Sequence, residues 1–192
     1  MAKRPPRTQP SHSGDEEAEH FRDAAVDRIL AEWSGVLPKL DLTARAIAAR
    51  IARIDSRLRA ATAAALDEHE LSGTEFRMLA GIMRLGPPYL RSPSELIGRY
   101  VPVTSGGLTG IINRLERRDL ARRMAHPTDQ RGVLIALTKK GQALTLRAMA
   151  DVAEAERRLV GGLSEEERAE GNRILRKLLR SMDAADPSSS SI

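Results

Sequence analysis

The residues whose chemistry sets this chain apart are small hydroxyls, glycines and arginines. His12, His20, His69 and His126 are scattered without metal-ligand spacing, no nucleophile is in register with a base, and the chain has no cysteine. That composition removes disulfides, thiolate metal sites and thiol redox chemistry, and leaves a metal or another cofactor without a set of ligands. Ser105, Gly106, Thr109, Asn113, Arg114 and Arg117 recur at helical spacing, and Arg122, Arg123 and Arg131 follow them. Hydroxyls and amides read hydrogen-bonding edges, and guanidinium forks bind phosphate and carboxylate, so this set suits a polyanion. Arg91 to Arg131 holds eight arginines against four acids, within a net charge of +5. Aromatic residues make up 3% of the chain, too few for the stacking platforms that hold single strands, so a nucleic-acid partner is expected to be a duplex.

These side chains need elements to present them. Ser92 as N-cap, Pro93 at the first helical position and Glu95 at the third predict a short helix closing near Arg99. Val101-Pro102-Val103 is the expected turn, and Thr104 or Ser105 then caps a helix to about Arg118. In that helix Leu108, Ile111, Ile112 and Leu115 form the face to be buried, leaving Ser105, Gly106, Thr109, Gly110, Asn113, Arg114 and Arg117 outside or on the flanks. Gly106, Gly107 and Gly110 each cost about 0.8–1.0 kcal/mol of helix propensity relative to alanine. Close approach of the helix to a groove would offset this, and so would tight packing against a neighbouring helix. The segments ARRMAH and VLIAL read as two strands around the turn PTDQRG. At that tip Asp129 is placed to hold the guanidinium of Arg131, which suits a narrow, electronegative minor groove.

The flanks are helical. Residues 1–20 are rich in proline, serine and charge and read as a disordered arm. A first helix is expected from Phe21 to Trp33, and a second from Leu42 to Leu66 carries a seam of period 3.5 through Ile47, Ile51, Ile54, Leu58, Ala61 and Ala65. Ser72 and Glu75 have capping-box spacing ahead of the stripe Phe76, Leu79, Ala80 and Met83, which Gly86-Pro87-Pro88 ends. His69, within DEHE, reads as a solvated helix end. Thr138 caps a helix to Val160, and Ser164 opens a last one carrying Ile174, Leu175, Leu178, Leu179 and Met182, with a serine-rich tail from Asp183. No apolar run approaches the roughly 18 residues of a membrane span, and MAKRPPRTQP lacks the apolar core of a signal peptide, so a cytoplasmic location is expected.

The fold class is therefore mostly α with a small β-hairpin wing (α+β), a winged helix-turn-helix between long flanking helices. The expected division is 1–20 arm, 21–71 N-terminal helices, 72–138 winged helix-turn-helix, 139–183 C-terminal helices and 184–192 tail.

The order of elements and the letters themselves resemble the MarR family of bacterial transcription regulators over Phe21 to Met182. The most specific pieces are EFRMLAGIMRLGPPYLRSPSEL, VTSGGLTGIINRLERRDL and HPTDQRGVLIALTKKG, the last with the Asp-x-Arg-Gly wing tip and the Leu-Thr-x-x-Gly entry to the following helix. The resemblance implies a homodimer built from first and last helices, with the helix from Thr104 in a major groove and Arg131 in the flanking minor groove of a near-palindromic operator. The extra first helix, VDRILAEWSGVLPKLDL, is similar to the branch that answers urate or trans-aconitate. Two positions that branch uses for its anionic ligand are kept, Trp33 and Arg123; two differ, where Arg77 replaces an acid and Ile111 an arginine of the recognition helix.

The expectation is a sequence-specific regulator of double-stranded DNA, a dimeric repressor released by a small organic ligand. Its DNA-contacting candidates are Thr104, Ser105, Gly106, Thr109, Asn113, Arg114, Arg117, Asp129 and Arg131, and its ligand candidates Trp33, Arg77 and Arg123. Trp33 serves equally well as a core anchor. The competing reading is a helical adaptor that binds protein through its long seams and carries an incidental basic surface. An enzyme ranks far behind both.

Overall fold

The computed structural model describes residues 24–97, 101–126 and 132–185. The predicted arm, Phe21, Arg99 and the tip residues Asp129 and Arg131 lie outside the described residues. Two compact units divide between Ser56 and Arg57.

In the first unit α1 spans Ala24–Val36, and α2 begins at Thr43 within Thr43–Asp67. Asp41 accepts from the Thr43 N–H at 2.9 Å and caps α2, and Arg50 pairs with Asp27 of α1 at 2.5 Å. Trp33, Ile47, Ile51 and Ile54 are exposed.

The second unit holds the rest of α2, then α3 (Gly73–Met83), β1 (Leu90–Arg91), α4 (Pro93–Leu96), α5 (Ser105–Arg117), β2 (Ala121–Ala125), β3 (Val133–Leu137), α6 (Lys139–Leu159) and α7 (Glu165–Ala185). Hydroxyls start five of these helices. Ser72, Ser92, Thr104, Thr138 and Ser164 each accept from the backbone N–H three residues on, at 3.2, 3.4, 3.2, 2.9 and 3.2 Å. Such a cap is worth about 1 kcal/mol. At Ser72 and Ser92 the box is reciprocal, with Glu75 and Glu95 accepting from the cap's own N–H at 3.0 and 2.8 Å. Thr104, rather than Ser105, caps α5.

β3 lies between its neighbours in an antiparallel sheet of order β1-β3-β2, with Leu90 opposite Ala136 and Ala121 opposite Leu137. Two residues are too few to show a period, so β1 has no sequence signature beyond the Gly86-Pro87-Pro88 turn before it. Met78, Leu79 and Ile82 of α3, Leu96 of α4, Leu108 and Leu115 of α5, and Ile135 of β3 meet in one core with Leu66, Leu120 and Ala148. Each buried leucine or isoleucine contributes about 1.5–3 kcal/mol. The predicted buried face of α5 is the observed one.

Two expectations need correction. His69 is not solvated: its side chain is 12% exposed, and its Nε2 lies 2.7 Å from Asp151 of α6. The burial follows from the end of α2, where Glu70 turns at φ 53° and Arg118 donates to the carbonyls of Glu70 and His69 at 2.5 and 3.0 Å. The helix expected to give way to a tail at Asp183 runs on through Ala185, because nothing in Met182–Ala185 breaks it.

At the entry to α6 the backbone of Leu120 lies hard against Gly141. A Cβ placed on Gly141 would stand 1.9 Å from the Leu120 carbonyl oxygen, which itself accepts from the Thr138 N–H at 3.2 Å. Gly141→Ala is therefore expected to destabilise the fold by on the order of 3 kcal/mol through forced displacement of that carbonyl. A urea-unfolding midpoint within experimental error of the unsubstituted chain would refute this.

Candidate nucleic-acid interface

Capping at Thr104 and burial of Leu108, Ile111, Ile112 and Leu115 fix the rotation of α5 about its axis. Ser105, Gly106, Thr109, Asn113 and Arg117 are exposed on the remaining surface, with Thr104 at its start. The Thr109 hydroxyl donates to the Ser105 carbonyl at 3.1 Å, which leaves its oxygen to accept from outside. Added Cβ atoms at Gly106 would meet nothing within 4 Å, and at Gly110 would meet only the Arg114 Nη1, at 3.7 Å. Packing within the described chain therefore does not require these two glycines. Gly107 differs, since a Cβ there would lie 3.3 Å from that of Val103.

Two arginines tie α5 to its surroundings. Arg114 donates through Nε to Oε1 of Glu75 on α3 at 2.9 Å. Glu75 is buried, and its other oxygen accepts from the Ser72 N–H and hydroxyl at 3.0 and 2.7 Å. Burial acts to raise the Glu75 carboxyl, but the Ser72 N–H, the Arg114 guanidinium and the Ser72 hydroxyl outweigh it and hold the group below its ordinary value of 4.5. Arg123 of β2 donates from Nη1 to Glu116 and from Nη2 to Oδ1 of Asn113 at 2.8 Å, while its backbone N–H reaches Glu116 at 2.8 Å. A ligand candidate and a DNA-contacting candidate thus share a hydrogen bond. Arg123 also borders a recess of about 350 Å³ with Pro93, Ile97, Ser105, Thr109 and Ile135.

The other candidates are dispersed. Arg77 is exposed on α3, and Trp33 is 45% exposed on α1, in the first unit. The sequence reading did not single out Glu75 as the partner of Arg114 or Glu116 as that of Arg123. Glu75 was visible only as a capping residue, and a pairing across 39 positions leaves no local pattern. Among the described residues no group of three or more His, Asp or Glu is placed to hold a metal ion.

Helices α3, α4 and α5 with a three-stranded sheet, and the bared surface on the third of them, make a winged helix-turn-helix. No family model matches the chain. The HTH-type transcriptional regulator PecS of Dickeya dadantii is 32% identical over 143 residues, covering 74% of this chain and 86% of that protein. Sco3205 of Streptomyces coelicolor, a MarR family regulator solved in complex with DNA, superposes with a TM-score of 0.64 at 21% identity, over 78% of this chain and 91% of its own. The organohalide-sensing regulator RdhR, solved with 2,4-dichlorophenol bound, gives a TM-score of 0.64 at 19% identity, over 81% and 90%. The chain belongs to the MarR family of HTH-type transcriptional regulators.

Two outcomes follow from the geometry. Gly106→Ala and Gly110→Ala each have room for the added methyl, so each is expected to stabilise the fold by about 0.5–1 kcal/mol in thermal or urea unfolding while weakening duplex binding about tenfold. Stabilisation without loss of binding would mean that no groove approaches the helix closely. For Glu75, a depressed carboxyl contributes stability in full above its unfolded value, and that contribution is lost as pH falls through the lower folded value. The stability advantage of the unsubstituted chain over Glu75→Gln, measured by urea unfolding from pH 7 to pH 3, is expected to hold down to about pH 4.5 and then shrink; a constant difference would exclude the ionised pair as its source.

Proposed function

We propose that this regulator acts in the cytoplasm as a homodimeric, non-enzymatic repressor, with α5 in the major groove of a near-palindromic operator and a small organic ligand releasing it. The observation that carries the reading is the outer surface of α5, where Gly106 and Gly110 stand despite their cost in helix propensity and a methyl group would fit at either. In this reading Ser105, Thr109 and Asn113 meet base edges, Thr104, Gly106, Arg114 and Arg117 lie against phosphates, and Asp129 with Arg131 serves the minor groove.

The second copy is supported by apolar side chains left uncovered on α6 and α7, namely Leu146, Met149, Ile174, Leu175, Leu179 and Met182. Packing these side chains against the same face of a second copy would remove them from water. A two-fold dimer then presents two α5 helices to half-sites about one helical turn apart.

For the effector we favour a small aromatic or aliphatic anion held at Arg123. The recess beside Arg123 has an apolar floor in Ile97 and Ile135 and hydroxyls in Ser105 and Thr109, which suits a molecule with one charged end. Such a ligand shifts the protein away from its operator only by binding the DNA-incompetent arrangement more tightly.

Selection of duplexes from a random pool by the purified full chain is expected to yield an inverted repeat, bound at least about a thousandfold more tightly than random DNA at fixed salt. A panel of aromatic carboxylates and phenols is then expected to contain members that weaken this complex tenfold or more. Equal affinity for selected and random duplex would end the repressor reading. Asn113→Ala and Arg131→Ala that left a protein partner's binding unchanged, with no salt-dependent DNA affinity, would favour the adaptor instead.

A further inference from the structure

We propose that Glu75 is a positioning residue for DNA binding, holding the Arg114 guanidinium along the outer surface of α5 so that its two terminal nitrogens face one phosphate. The proposal rests on the reading that α5 faces DNA and goes beyond it by assigning a role to a residue on another helix.

Three capping glutamates allow a comparison within the molecule. Glu75, Glu95 and Glu167 each accept from the N–H of a serine three residues earlier, at 3.0, 2.8 and 2.7 Å. Glu95 and Glu167 do so while exposed, so capping does not require burial. Glu75 is 6% exposed, and it is the one buried ionic side chain among the described residues. Burial of a carboxylate is costly unless it is paired, and what Glu75 has beyond its cap is Arg114 on its second oxygen. The excess cost is therefore associated with α5, not with the start of α3.

The pairing also has a direction. Arg114 engages Glu75 through Nε, the inner edge of the guanidinium, while the side chain remains 48% exposed. Its Nη1 passes over Gly110, 3.7 Å from where a Cβ would be. That terminal nitrogen is thus held over the part of α5 that carries no side chain, where a phosphate backbone would approach closest. A guanidinium held at its inner edge keeps its outer donors and loses less freedom when they are used.

Charge and positioning predict opposite signs, and this makes the test sharp. Glu75 is an anion behind a surface that meets phosphates, so on charge alone its neutralisation tightens DNA binding. If it positions Arg114, neutralisation weakens binding.

The experiment uses the full chain and the duplex that the unsubstituted protein selects, with affinity measured across a salt series. Arg114→Ala is expected to lose about tenfold and to reduce the slope of log affinity against log salt by about one. Glu75→Gln is expected to lose three- to tenfold with the slope unchanged, and to have less than a twofold effect in the Arg114→Ala background. A merely structural role would give the same loss in both backgrounds and would overturn the proposal, as would Glu75→Gln binding as tightly as the unsubstituted chain or more so. Arg114→Lys decides the matter without touching Glu75. It keeps the charge, but its single nitrogen cannot serve Glu75 and a phosphate together, so a loss close to that of Arg114→Ala is expected and unchanged affinity overturns the proposal. Absence of any selected duplex would bring down the DNA reading itself, whereas normal binding by the unsubstituted chain with no Glu75 effect removes this proposal and leaves that reading standing.

Discussion

Helix α5 keeps its outer surface bare, so what fixes its position acts through the opposite side, and the second unit is built around that requirement. Leu108, Ile111, Ile112 and Leu115 anchor it in the core that α3, α4 and β3 also enter. Apolar contact resists tilting and translation but is non-directional, and a smooth leucine face allows small rotations. The two arginine contacts add direction. Arg114 fastens the C-terminal end of the helix to α3, and Arg123 fastens the same end to β2 through Asn113 and Glu116. Both ties use charge-assisted hydrogen bonds with defined geometry, which fix the helix azimuth more closely than burial does.

The second of these ties bears on how a signal would reach the outer surface of α5. Ile111 is buried at 3% exposure, in agreement with its expected place on the buried face of α5. A direct ligand-to-helix contact from that position is therefore missing. Arg123 supplies a different connection, because the same guanidinium that borders the recess also bonds to Asn113. An anion competing for Arg123 would have to break that bond or share the fork. Arg77 lies on a different helix, α3, where it is exposed.

How much of this was legible in the sequence depended on the range of the interaction. Caps at Ser72, Ser92, Thr104, Thr138 and Ser164 are encoded within four residues, and all five are found. The apolar spacing of α5 and the strand-turn-strand pattern of the wing are similarly local. Glu75 with Arg114, Arg118 with the end of α2, and His69 with Asp151 join residues 39 or more positions apart, and their residue types are those of ordinary solvated helices. His69 shows the same limit: DEHE is polar by composition and predicts a solvated end, and only the turn at Glu70 and the approach of α6 bury it. The glycines of α5 stand between these cases. Their cost was visible from propensity, but choosing between a close neighbour and open space required coordinates, and the answer is open space at Gly106 and Gly110 and a neighbour at Gly107.

The uncovered apolar faces extend the same logic from one lobe to the proposed dimer. In α7 no residue is buried, although Ile174, Leu175, Leu179 and Met182 recur on one side at helical spacing. An amphipathic helix of 21 residues draws most of its stability from packing of its apolar face, since propensity contributes only marginally in water. Its exposed ion pair, Arg173 with Glu170, adds little, because such pairs are screened and entropically costly. α7 therefore needs a surface to lie against, and a second copy supplies one by symmetry. The distance between the two α5 helices would then be set by helices far from either recognition surface, so a ligand that altered how those helices pack could change operator fit without touching a DNA-facing side chain.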